Sequence, residues 1–80
     1  MKNLNVAVIG GGFMAKAHSM AYACMPMFFW PAPSIPVRKV IVDINDELAE
    51  DAKNKLGFEE SSSNWNEVIN RKDIDVVDIC

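Results

Sequence analysis

The chain has 80 residues, 50% of them hydrophobic and 24% charged, with a formal net charge of −3. This composition fits one small folded domain and excludes a disordered segment. The acidic balance argues against a nucleic-acid partner, for which a basic patch is expected, and no stretch approaches the ~20 apolar residues of a membrane span.

Leu4 to Ile9 reads as a buried strand, nearly continuous in apolar residues as parallel strands are. Gly10, Gly11 and Gly12 end it. Phe13 to Met25 reads as a helix with Met14, His18, Ala21, Tyr22 and Met25 on one face, ended by Pro26. Residues 26–36 hold all four prolines, with Met27, Phe28, Phe29 and Trp30 among them. The expectation is a proline-stiffened loop whose aromatics pack over the end of the first helix. The functional alternative is a subunit contact or part of a lid. Val37 to Val42 is a second strand, closed by Asp43. Asn45 then caps a helix with Asp46 and Glu47 in its first turn, Leu48, Ala49, Ala52 and Leu56 on its buried stripe, and Gly57 beyond its end. Phe58 to Ser61 is a short third strand. Asn64 or Ser63 caps a short helix from Trp65 to Asn70, and Ile74 to Cys80 is strand-like. The order is β-α-β-α-β-α-β, an α/β fold with a parallel sheet, right-handed crossovers and strand order 3-2-1-4.

Within that frame Gly10, Gly12 and Ala15 match G-x-G-x-x-G/A, the phosphate-binding turn of a Rossmann-type dinucleotide-binding unit. Gly10 allows the tight turn, Gly12 lets a pyrophosphate approach the backbone, and Ala15 lets the helix sit close to the strand. The helix then aims free N–H groups and its positive dipole end at the anion. Asp43, at the end of the second strand, is placed to accept hydrogen bonds from the adenosine ribose hydroxyls. It lies about ten residues farther from the glycines than the usual ~20, an excess assigned to residues 26–36. A carboxylate there repels a 2′-phosphate, and Ile44, Asn45 and Asp46 supply no base, so NAD is expected over NADP.

The remaining reactive side chains are read conservatively. His18, the single histidine, is expected to be packed and hydrogen-bonded rather than a proton relay. Cys24 is expected to be buried. Cys80 falls at the ligand edge of the sheet, but with no base beside it a nucleophilic role is unsupported. Asp78 stands out as a carboxylate inside an apolar strand. It either lies near the strand end or marks a polar neighbour outside this chain. The two cysteines lack metal-ligand spacing, so no metal is expected, and a reduced, cytoplasmic setting is. The N-terminus does not read as a signal peptide.

Val6-Ala7-Val8-Ile9-Gly10-Gly11-Gly12-Phe13-Met14-Ala15-Lys16-Ala17-His18, the strand ending in Asp43, and Ile74-Asp75-Val76-Val77-Asp78-Ile79-Cys80 together resemble the start of the glucose–fructose oxidoreductase / inositol dehydrogenase (Gfo/Idh/MocA) family. The resemblance spans essentially the whole chain; Ala15 departs from the third glycine of many members. It implies an NAD(P)-dependent oxidoreductase that passes hydride between nicotinamide and a sugar, polyol or related substrate. It assigns Gly10, Gly12, Phe13 and Met14 to the pyrophosphate turn and Asp43 and Ile44 to the adenosine side. It places no catalytic residue in residues 1–80: the family's catalytic lysine, in a Glu-Lys-Pro segment, and its substrate domain come later. Residues 1–80 are thus expected to be the N-terminal part of an NAD(P)-binding domain, homo-oligomeric when full length. The isolated chain is expected to be unstable, or to associate through its open edge strand, and to turn over no sugar. The competing readings are a nucleotide-sensing regulatory protein on the same fold, lacking the lysine, and an S-adenosylmethionine-dependent methyltransferase, whose ligand has no pyrophosphate.

Overall fold

A computed structural model describes residues 2–80. Its elements are β1 (Lys2–Ile9), α1 (Phe13–Phe28), β2 (Ser34–Val42), α2 (Asp46–Leu56), β3 (Glu60–Ser62), α3 (Trp65–Ile69) and β4 (Val76–Ile79). The strands form one parallel sheet in the order β3-β2-β1-β4, as the alternation of elements predicts. The sheet buries both faces. On one, Val6, Val8 and Ile41 meet Ala15 of α1 and Ala52 of α2. On the other, Ala7, Val40 and Val42 meet Val68 of α3. Each large aliphatic side chain so buried contributes about 1.5–3 kcal/mol.

Where the elements depart from the sequence reading, the causes are local. Pro26 does not end α1, which runs on to Phe28. A proline in the last turn forfeits one hydrogen bond, to the Tyr22 carbonyl, and the turn closes past it, with the Phe29 N–H donating to the Met25 carbonyl at 3.0 Å. β2 also starts early, at Ser34, so the proline loop shrinks to residues 29–33. Much of the extra spacing before Asp43 is therefore longer helix and longer strand. The aromatics do not pack over the helix end: Met27, Phe28, Phe29 and Trp30 are 80%, 75%, 64% and 69% exposed.

The buried face of α1 is also shifted by one residue. Ala15 and Ser19 face the sheet with Tyr22 packed beside them, while Met14 and Ala21 are exposed. Serine looks like a solvent residue in a pattern, but Ser19 Oγ donates back to the Ala15 carbonyl at 2.6 Å and carries no unmet polar group into the core. In α2, Leu48 is more exposed than its stripe implies, and Cys24 of α1 is only half-buried.

The caps of α2 follow the sequence. Asn45 Oδ1 accepts from the Leu48 N–H at 2.8 Å, and Gly57 takes the left-handed φ of 74°. Arg38 Nη1 donates to the Leu56 carbonyl at 2.8 Å, so this guanidinium serves the C-terminal end of α2. Asn64 caps α3, accepting from the Glu67 N–H at 3.1 Å.

One ion cluster ties β3 to the turn before β4. Arg71 reaches Glu60 at 2.8 and 3.1 Å and Asp73 at 2.7 and 2.9 Å. Its hydrogen bonds hold both carboxyls below the ordinary carboxylate range. Groups whose folded pKa is depressed stabilise above their unfolded value, near 4, and lose that contribution as the pH falls through the folded value. The thermal midpoint is therefore expected to fall as the pH drops below about 4, and Arg71→Ala to reduce that slope, by a modest amount because the cluster is part-exposed. A slope unchanged by Arg71→Ala in a calorimetric pH series would assign the acid sensitivity elsewhere.

Candidate functional site

Register decides what meets at the carboxyl edge of the sheet. Ile9 pairs with Val42 on one side and Ile79 on the other, so β1, β2 and β4 end level. The residues after them stay in line: the Gly10 N–H donates to the Val42 carbonyl at 2.7 Å, the Cys80 N–H to the Ile9 carbonyl at 2.9 Å, and the Asp43 N–H to the Ser62 carbonyl at 3.2 Å. Gly10, Asp43 and Cys80 thus stand side by side at the edge where open α/β sheets bind ligands.

The three glycines answer to three different demands. Gly10 has φ +106°, and a Cβ there would lie 2.9 Å from the Cys80 carbonyl oxygen. At Gly11 a Cβ would lie 2.5 Å from Asp43 Oδ2 and 3.3 Å from Ala52 Cβ; this glycine, which the fingerprint leaves as "x", makes room for the Asp43 carboxylate. A Cβ at Gly12 would meet nothing within 4 Å, and its φ is −83°. Nothing in the chain itself requires glycine at position 12.

Gly12 is the N-cap of α1 and has no side chain to offer, and the first turn holds no acidic residue. α2 and α3 have asparagine caps and acidic first turns. The first N–H groups of α1 therefore point outward without a side-chain acceptor, beside Phe13 (82% exposed) and Met14 (55%). Asp43 is half-buried at the end of β2. Its Oδ1 accepts from the Ile44 N–H at 2.7 Å, leaving Oδ2 with open hydrogen-bonding capacity toward the glycine turn, while the Ile44 side chain projects into solvent.

Two clefts flank the turn. One, of about 360 Å³, takes in Gly10, Asp43, Ile44, Trp65, Ile79 and Cys80 at the strand ends. The other, of about 420 Å³, lies between α1 and α2 and takes in Gly11, Gly12, Phe13, Lys16 and Lys55. The sequence-predicted residues thus divide: Gly10, Asp43 and Ile44 line the first, Gly12 and Phe13 the second, and Met14 lines neither. We take the strand-end cleft as the candidate ligand site, because it contains the carboxyl ends of β1, β2 and β4. The exposed apolar surface of Ile44, Trp65 and Ile79 borders it. Trp65 escapes sequence reasoning because it reads only as the start of a short helix.

Asp78 finds its partners within the chain, not outside it. It faces α1, where the His18 Nδ1–H donates to Oδ2 at 2.7 Å and the Tyr22 O–H donates to the same oxygen at 2.5 Å. A carboxylate only accepts, which puts the imidazole proton on Nδ1. Burial alone would raise Asp78, but the hydrogen bonds from Tyr22 and His18 outweigh it and hold the carboxyl below its ordinary range. His18 is hydrogen-bonded, as expected. Cys80 does have an imidazole beside it: Sγ lies 3.5 Å from His18 Nδ1, the nitrogen that carries the proton and so cannot act as its base. Burial and the Asp78 charge also push its thiol up, so a nucleophilic role remains unsupported.

Tyr22 is the chain's single tyrosine, and burial followed by its bond to Asp78 pushes it up to about 12. Ultraviolet titration of the full-length protein, read as the difference from its Tyr22→Phe variant, is expected to show this phenolate forming near pH 12, and in Asp78→Asn moving back toward the ordinary value of 10. Because the folded pKa is raised, the contact stabilises fully below pH 10 and that contribution is lost as the pH rises toward 12. A wild-type midpoint at 10 would show that the Tyr22–Asp78 bond does not form.

A parallel sheet of order 3-2-1-4, a glycine turn opening an uncapped helix, and an acid closing the second strand define a dinucleotide-binding α/β fold. The chain belongs to the GFO_IDH_MocA oxidoreductase family, with an NAD-binding Rossmann fold, whose profile matches residues 4–80. The levoglucosan dehydrogenase of Pseudarthrobacter phenanthrenivorans (strain DSM 18606 / JCM 16027 / LMG 23796 / Sphe3) is 65% identical over 79 residues, covering 99% of this chain and 20% of that protein. A solved structure of levoglucosan dehydrogenase in complex with NADH and levoglucosan superimposes with a TM-score of 0.97 at 63% identity, over 99% of this chain and 21% of that one. An NAD-binding oxidoreductase from Klebsiella pneumoniae gives 0.92 at 38% identity, over 98% of this chain and 21% of that one. The chain therefore spans about one fifth of the length of these relatives. Fold, family and the NAD cofactor agree with the sequence reading.

Proposed function

We propose that residues 1–80 form the cofactor-binding part of an NAD-dependent dehydrogenase that oxidises a sugar, anhydrosugar or polyol. The level ending of β1, β2 and β4 carries this reading, because it sets a free helix N-terminus and a carboxylate on either side of one turn. The residues fit a dinucleotide. The N–H groups at the start of α1, with Gly10, Gly12, Phe13 and Met14, hold the pyrophosphate. Asp43 Oδ2 accepts from the ribose hydroxyls, and Ile44 covers the adenosine side. The nicotinamide supplies hydride acceptance and donation when bound. This part of the chain binds and orients it; the residues that move the substrate's proton lie beyond Cys80. Levoglucosan is the first substrate to test, from the 65% identity to a levoglucosan dehydrogenase. The full-length protein is read as a cytoplasmic homo-oligomer with no nucleic-acid or membrane partner. Among the described residues no helix is long and apolar enough to cross a membrane.

The test is NADH formation, followed by absorbance, when the full-length protein meets NAD and levoglucosan or a panel of sugars and polyols. Tight NADH binding without turnover of any of them would favour a nucleotide-sensing protein instead. Binding of S-adenosylmethionine in place of NADH would favour a methyltransferase.

A further inference from the structure

His18 and Asp78 play no part in the function proposed above, and Cys80 enters it only as part of the wall of the strand-end cleft. They meet across one seam of the fold. Asp78 and Cys80 are two residues apart along β4 and its end, on one face, and His18 faces them from α1. His18 Nδ1 lies 2.7 Å from Asp78 Oδ2 and 3.5 Å from Cys80 Sγ, and Sγ lies 3.7 Å from Asp78 Oδ1. An imidazole nitrogen, a carboxylate oxygen and a thiol sulfur thus lie within 4.8 Å of one another. The hydrogen bonds from His18 and Tyr22 fall on Asp78 Oδ2, and the Cys80 thiol donates a long one to Oδ1, so the sulfur converges on both other groups.

We propose that His18, Asp78 and Cys80 form a binding site for a zinc-class divalent cation, with a fourth position left to water. Thiol and imidazole donors together select such a cation over magnesium or calcium. Tetrahedral zinc with bonds of about 2.0–2.3 Å places its ligand atoms roughly 3.3–3.6 Å apart. The two separations that involve Cys80 are already near that value. The His18–Asp78 separation is shorter because a shared proton holds it, and it opens when that proton leaves. Binding releases the Cys80 thiol proton to solvent, while the His18 proton moves from Nδ1 to Nε2 so that the Nδ1 lone pair faces the metal, and Asp78 enters as the carboxylate. Tyr22, donating to Oδ2, orients the carboxylate so that Oδ1 faces the sulfur, the supporting role that outer hydrogen bonds play around metal ligands. Entry is open: His18, Tyr22 and Asp78 border a cleft of about 440 Å³, and Cys80 is exposed. Chain spacing gives no hint of this site, because His18 lies some 60 residues from the Asp78–Cys80 pair.

The experiment is Co²⁺ titration of the full-length protein, freed of chelator, followed by absorbance, with Zn²⁺ added as competitor. A thiolate-to-cobalt charge-transfer band is expected at one equivalent, removed by Zn²⁺. Because binding releases the thiol proton, the affinity is expected to rise at least tenfold between pH 6 and pH 8. Cys80→Ser abolishes the band, His18→Gln weakens binding at least 100-fold, and Tyr22→Phe weakens it about tenfold. Cys24→Ser leaves the band in place. Absence of a band in the wild type, or its survival in Cys80→Ser, overturns the proposal. Should Cys80→Ser fail to fold, alkylation of the wild type decides: Zn²⁺ is expected to protect Cys80 and not Cys24 from iodoacetamide, as read by peptide mass, and equal labelling of Cys80 with and without Zn²⁺ overturns the site.

Discussion

Gly10→Ala is expected to destabilise the protein by about 3 kcal/mol and to weaken NADH binding more than tenfold, whereas Gly12→Ala is expected to keep the fold and lose the cofactor. The two glycines are separated by one residue and differ in what surrounds them. At φ +106° an alanine at position 10 adopts a backbone conformation costing 1–3 kcal/mol. Its Cβ also falls 2.9 Å from the carbonyl oxygen of Cys80, a residue whose own N–H is bonded to the Ile9 carbonyl beside the turn. The clash must be relieved by moving β4 or the turn, and either movement tilts the start of α1. At Gly12 the φ is negative and the space where a Cβ would stand is open, so the stability loss is confined to a weaker N-cap, below about 1 kcal/mol. That same space is where the pyrophosphate is proposed to approach, and a methyl group there keeps it away from the N–H groups of α1. Thermal midpoints and NADH calorimetry on both variants separate the roles. Undiminished NADH affinity in Gly12→Ala would remove the pyrophosphate from this turn.

This contrast also shows what the sequence carries and what it hides. Patterns built from neighbours along the chain survive: the Asn45 and Gly57 caps of α2, the strand-turn-helix read over residues 4–25 and the strand order are all legible in spacing and residue type. The fingerprint places three small residues, but it cannot say that Gly11 is small for the sake of Asp43, since that contact joins the ends of two strands. Pro26 misleads because a proline's effect depends on how much helix remains beyond it. Ser19 misleads because its hydroxyl is satisfied within its own helix, and polarity alone cannot reveal that. Asp78 looks misplaced in a strand until His18 and Tyr22, some 60 residues earlier, fold over it. In each case the missing information is a contact made only by the folded sheet.

Asp43 carries the other large expected effect, on the choice between cofactors. Its Oδ1 is engaged by the Ile44 N–H, and Oδ2 retains the capacity to accept from the ribose. Hydrogen bonds to a charged acceptor contribute about 1.5–3 kcal/mol each, so Asp43→Ala is expected to weaken NADH binding roughly 10- to 100-fold. NADPH meets the opposite situation in the wild type. A 2′-phosphate beside this carboxylate is repelled by a few kcal/mol at intermediate dielectric, and the residues that follow it, Ile44, Asn45 and Asp46, supply no base to offset it. Arg38, the nearest arginine in sequence, is committed to the Leu56 carbonyl at the far end of α2. Ile44 is 85% exposed, so a longer side chain at that position enters solvent or the ribose pocket without disturbing the core. The double variant Asp43→Ala/Ile44→Arg is therefore expected to prefer NADPH, the arginine supplying the bidentate phosphate contact that isoleucine lacks. Gly11→Ala should reproduce part of the Asp43→Ala loss with the carboxylate still present, since its Cβ would lie 2.5 Å from Oδ2 and push it off the ribose. Calorimetric titration of the three variants with both cofactors gives the answer. Equal NADH affinity in Asp43→Ala, or tighter binding of NADPH by the wild type, would show that this carboxylate does not read the ribose.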